Sequence, residues 1–289
     1  MIRKALKSNL NSFLLKKINI ILIVVILLLP ILFAVLNYFL ASDWIRVFEP
    51  DEDFERYYKI LILLSEQTAF HAGVLQSYFV YIAPLILAII WNANLSESIS
   101  SRAVKYLSIY NNTQLNHIAN YILFLTSTII VLGCSYFIIE SVGIFFVNSS
   151  QDIYASPEVK EAILAEATFK KWDTIALSYL LILIIANIEY LFIRIISPIS
   201  KNIYLPVFIL LILHLVQFTH YVFISSFYVL INKVLYSDIV SQLFYFPKDF
   251  ISDSLLKSDI NQSWIVLIVT FIILFVGHLL KPINDQALR

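Results

Sequence analysis

Residues 18–40 read INIILIVVILLLPILFAVLNYFL, twenty-three positions without one charged side chain. A helix needs ~20 apolar residues to cross a hydrocarbon core. In lipid a backbone must satisfy its own hydrogen bonds, so such a run is predicted to be helical. Five further apolar stretches follow, at 76–94, 118–139, 174–196, 203–231 and 263–280. Together they predict an all-α, polytopic membrane protein with six transmembrane helices. Bulk composition agrees, with 60% apolar residues, a mean hydropathy of +0.83 and 14% charged residues. Soluble domains carry ~25% charged residues. The alternating ten-residue segments of a transmembrane barrel are absent.

Lys and Arg in the gaps set the expected orientation. The amino-terminal segment, the second and fourth gaps and the carboxyl tail hold eleven basic and two acidic residues. The other gaps hold nine basic and sixteen acidic residues, including Asp51, Glu52, Asp53 and Glu55. Both termini are therefore expected in the cytoplasm, with the acidic loops outside. The first apolar stretch exceeds the 7–15 residues of a signal-peptide core, and no lipidation motif is present. A formal net charge of zero implies no bulk attraction to nucleic acid. Cys134 is the only cysteine, which excludes an intrachain disulfide and reads as a packing residue in the third span.

Residues 1–17 place Ile2, Leu6, Leu10, Phe13 and Leu14 at helical spacing, with Lys4, Lys7 and Asn11 elsewhere. This predicts an amphipathic helix on the membrane surface, with lysine stems reaching the headgroups. The outside loop 41–73 carries the acidic run, either a cation-attracting patch or a solvated surface. In the outside loop 148–173, Ser156, Pro157, Glu158 and Glu161 form a helix-start signal. Residues 232–262 read as an outside loop or a short re-entrant segment, since Phe244, Tyr245 and Phe246 suit the interface.

The second gap, 95–117, reads LSESISSRAVKYLSIYNNTQLNH. It is far longer than a connector requires. Ile99, Ala103, Tyr106, Leu107 and Tyr110 share a helical face, with Arg102 and Lys105 off it. Such a helix at the inner surface is a place for a cytoplasmic partner to push. Here the chain resembles the permease subunits of type-2 ATP-binding-cassette exporters. Glu97 corresponds to that family's acidic position and 104–109 to its apolar run, while 111–113 stands near its Ser-Arg position. Tyr110 stands where the family usually has Pro, and Ser101-Arg102 or Arg102-Ala103 where it has Gly-Thr.

The resemblance implies an amino-terminal elbow helix, a coupling region at 95–117 and a separate cytoplasmic ATPase that holds ATP and magnesium. It also implies a second permease subunit in the working unit, in a bacterial cytoplasmic membrane. The expected ATPase-coupling residues are Glu97, Arg102, Lys105, Tyr106, Leu107 and Tyr110. The chain has no phosphate-binding loop of the G-x-x-x-x-G-K-[ST] type, so it is expected to be neither an enzyme nor a cofactor holder.

Ionisable groups within spans are functional candidates because burying them is unfavourable. Glu189 and Arg194 lie five apart, poorly placed to stack on one helix. Glu189 is therefore expected to pair across helices or face a wet cavity. His214 and His220 sit on different faces, which disfavours a shared metal, whereas His214 and Gln217 share one. With Tyr78 and Tyr81, the residues Glu189, His214 and Gln217 are the substrate-path candidates. The substrate class they suit is hydrophobic or amphipathic: a peptide, lipid or drug. The alternative function is a non-transporting scaffold or immunity protein acting through its outside loops.

Overall fold

A computed structural model describes residues 2–47, 64, 67–74, 83–100, 113–150, 171–200, 202–222 and 255–280. Among these the fold is all helical. Eight helices run in order: α1 (Ile2–Leu15), α2 (Lys17–Val47), α3 (Gln67–Val74), α4 (Ala83–Ser100), α5 (Thr113–Ser150), α6 (Lys171–Ser200), α7 (Tyr204–Val222) and α8 (Leu255–Leu280). Three segments are long and apolar enough to cross a membrane: Lys17–Leu36, Leu115–Ser149 and Tyr179–Ser197. Shorter apolar helical segments occupy Ala83–Ala93, Tyr204–His214 and Leu267–His278. Each of the six apolar stretches thus contains a described helix. α8 starts at Leu255, earlier than its apolar stretch, and α2 runs on to Val47.

The outer surface differs from a soluble protein's, while the interior is a largely apolar core with polar side chains set into it. Ile21, Leu28, Ile130, Phe137, Phe145 and Ile273 are exposed, while Asn92, Asn120, Asn187, Glu189 and His117 are buried. Exposed apolar area on this scale is unfavourable in water and neutral against lipid tails. Hydroxyl groups along α5 and α6 donate to carbonyls one turn back, as Thr128 does to Phe124 and Ser197 to Ile193. This removes an unpaired donor from an apolar setting.

α1 and α2 are separated by Lys16 alone. The Phe13 carbonyl, left open by the end of α1, accepts from the Lys16 amide at 3.3 Å and from Asn19 Nδ2 at 3.2 Å. The expected apolar stripe of α1 divides in two: Phe13 turns inward with Ala5 and Asn9, while Ile2, Leu10 and Leu14 are exposed.

α6 is the central element, packed against α3, α4, α5, α7 and α8. A tight connection joins it to α7. Asn202 Oδ1 accepts from the Tyr204 amide at 2.8 Å as the helix cap, and Ser200 Oγ donates to the Asn202 carbonyl at 2.7 Å. So short a link turns α7 back along α6. At the other end of α6, α3 lies on α5 beside Gly143. A Cβ there would stand 3.2 Å from Cδ1 of buried Phe70, so the missing side chain allows the close approach.

Candidate functional site: a polar seam along the central helix

Tyr179, Asn187, Tyr190 and Arg194 fall within about 80° of one another around α6. At 1.5 Å per residue they cover roughly 22 Å of its length, most of a hydrocarbon core. Polar groups from neighbouring helices meet this stripe at three levels.

At the first level, His71 of α3 bridges two partners. Its Nδ1 lies 3.1 Å from Glu140 Oε2, and its Nε2 lies 3.0 Å from the Tyr179 hydroxyl. Burial pushes the His71 imidazole down to about 4, so the ring is neutral near pH 7. A neutral ring meets both neighbours when Nδ1–H donates to the carboxylate and Nε2 accepts from the phenol. Gln67 Nε2 donates to both the carbonyl and the carboxylate of Glu140. Glu140 is thereby part-buried and tied to α3.

At the second level, buried Asn92 donates to the Tyr190 carbonyl at 3.2 Å, and Asn120 donates to the Tyr190 hydroxyl at 2.8 Å. The Tyr190 ring stacks on Phe124 with centroids 4.3 Å apart. Tyr121 donates to Asn187 Oδ1 at 2.7 Å. Beside this layer, Glu189 Oε1 lies 2.6 Å from His214 Nε2 of α7, while Glu189 Oε2 has no partner among the described residues. Hairpin register explains the meeting. Glu189 stands eleven residues before the end of α6, and His214 ten after the start of α7.

At the third level, Arg194 Nη2 lies 2.6 Å from Nδ1 of buried His117, near the start of α5. α1 makes one contact at the middle of α4 and one near the start of α5. Phe13 stacks on Trp91 of α4, with centroids 4.2 Å apart and planes 12° from parallel. Asn9 Nδ2 donates to the Asn116 carbonyl of α5 at 3.1 Å. Trp91 Nε1 in turn donates to Ser127 Oγ at 2.7 Å.

Of the substrate-path candidates, Glu189 and His214 are therefore brought together. Gln217 lies on α7 but its side chain is outside the described residues, as are Tyr78 and Tyr81. Glu97 falls on α4 with its side chain outside the description, and Arg102, Lys105, Tyr106, Leu107 and Tyr110 lie outside it altogether. The loop readings at 148–173 and 232–262 fall mostly outside it as well.

Sequence reasoning missed His71, Tyr179, Asn92, Asn120 and Tyr190. The 3–4 spacing of Asn187, Tyr190 and Arg194 on one face was the readable signal for the seam. Among the described residues no three His, Cys, Asp or Glu side chains are grouped to hold a metal ion.

These features define a class. Helices long and apolar enough to span a membrane, with large apolar side chains turned outward, make this a helical membrane protein. No protein-family profile matches the chain, and no curated protein or solved structure matches it.

Proposed function

We propose that the chain is the permease subunit of a type-2 ATP-binding-cassette exporter, moving a hydrophobic or amphipathic substrate. In this reading six spans cross a bacterial cytoplasmic membrane, both termini are cytoplasmic, and α1 is the elbow helix. A second permease subunit and a pair of cytoplasmic ATPases complete the unit. The single observation that carries the reading is the hold of α1 on both arms of the second connection. Phe13 grips α4 at mid-helix Trp91, nine residues before its end, and Asn9 grips α5 at Asn116 near its start. A push on 101–112 by an ATPase would be transmitted through those arms into α4 and α5. Both pack against α6 and its polar seam.

Rigid helices with discrete polar contacts are the kind of element that switches between two arrangements. Glu189 and His214 would then sit beside the path and exchange partners as the bundle rocks.

The test is purification of the tagged chain from native membranes in mild detergent. An ATPase subunit should accompany it, and Glu97→Ala or Leu107→Ala should abolish transport while ATP hydrolysis persists. Recovery without any ATPase, but with a bound toxin or peptide, would instead favour the scaffold or immunity reading.

A further inference from the structure

α1 presents three faces. Ala5, Asn9 and Phe13, four residues apart, are buried against the bundle. At 100° per residue, Ile2, Leu6, Leu10 and Leu14 wind round the adjoining flank, and Ile2, Leu10 and Leu14 are exposed. Exposed Arg3 falls within that flank, between Leu10 and Leu14, and exposed Lys7, Asn11 and Lys4 occupy the flank beyond. No Asp or Glu precedes Asp43 in the chain, whereas Arg3, Lys4, Lys7, Lys16 and Lys17 all do. An apolar strip bordered by basic side chains fits the boundary between acyl chains and headgroups. The absence of acids selects the sign of those headgroups.

We propose that α1 docks on anionic phospholipid, and that the lipid thereby sets how firmly Phe13 holds the middle of α4 and Asn9 the start of α5. The occupant follows from charge complementarity: each basic residue beside an anionic surface strengthens attachment roughly fivefold. Bundle contact and lipid contact use different faces of the same helix, so both form at once. Neutral lipid loosens α1 and frees the arms of the second connection; anionic lipid clamps them. The consequence for transport rests on the permease reading, whereas the docking itself does not.

The experiment uses the full chain in nanodiscs of phosphatidylcholine alone, or with phosphatidylglycerol added. Hydrogen exchange of the 2–15 amides is followed by mass spectrometry. Exchange should slow at least roughly fivefold with phosphatidylglycerol. Molar salt should erase the difference, as should the combined variant Arg3→Gln, Lys4→Gln, Lys7→Gln. These side chains are exposed, and amides of α6 serve as the internal check that the variant is folded.

Equal exchange in the two lipids overturns the proposal, as does a lipid effect that survives in the variant. Protection that arises in phosphatidylcholine only when a protein partner is added overturns it too, since the basic face would then serve that partner. Where an ATPase co-purifies, its stimulated hydrolysis should depend on phosphatidylglycerol in wild type and not in the variant. Absence of any ATPase leaves the exchange result standing, so the two readings fail separately.

Discussion

A histidine with no exposed surface must place both ring nitrogens, and His71 places one on a carboxylate and the other on a phenol. Burial lowers its imidazole from an ordinary value of 6.5 to about 4. In the unfolded chain the ring takes up a proton as pH falls through 6.5; in the folded chain it resists until about 4. The stabilisation carried by the neutral ring is therefore complete above 6.5 and declines as pH falls toward 4. Its size is on the order of 3 kcal/mol. Thermal melts of the detergent-purified chain from pH 7.5 to 4.5 should show that decline. His71→Gln, which keeps a donor and an acceptor but does not titrate, should flatten it. Parallel profiles for the two proteins would count against the assignment. At pH 7.5, His71→Ala leaves Glu140 and Tyr179 short of a partner and should lower stability by about 1–3 kcal/mol.

Among the elements, the α6–α7 hairpin is a case where a local turn decides a long-range contact. The cap at Asn202 fixes the register, and the register sets Glu189 against His214. Losing one member strands the other in an apolar interior, whereas losing both strands neither. Leucine substitutions at the two sites should therefore be non-additive. Each single variant should lose about 1–3 kcal/mol, and the double variant less than the sum. Denaturant unfolding in micelles measures the cycle, and simple additivity would dismiss the pair as a coupled unit. The sequence made Glu189 and His214 separate candidates, and cross-helix pairing was the expectation for Glu189. Their juxtaposition was not readable, because it depends on where α6 stops and α7 restarts to within a residue or two. His71 escaped notice for a related reason. Its partners lie 69 and 108 residues away, and no local periodicity reports such distances.

For the whole molecule, the helical character was legible because apolar length alone dictates it, as 18–40 illustrates. The polar seam was legible only in part, since its stripe on α6 is periodic while its partners on α3, α4 and α5 are set by packing. The outward-facing apolar surface has a direct check in Cys134, exposed on α5 within the apolar segment Leu115–Ser149. A water-soluble maleimide needs water and a thiolate at the sulfur. In intact membranes Cys134 should stay unlabelled, and it should react fully once the membrane is dissolved in denaturing detergent. Full labelling before dissolution would remove α5 from the bilayer.

The hydrogen bonds to Tyr190 carry a consequence for how this protein is made. Asn92 and Asn120 precede their acceptors on that residue by 98 and 70 residues. At synthesis speeds of ~5–20 residues per second, the ribosome needs on the order of ten seconds to supply them. During that interval α4 and α5 leave the translocon with amides that have yet to meet Tyr190. Until α6 arrives, the Asn92 amide has the Ala88 carbonyl of its own helix and the Asn120 amide has the Trp91 carbonyl of α4, so an α4–α5 pair can wait with both donors met.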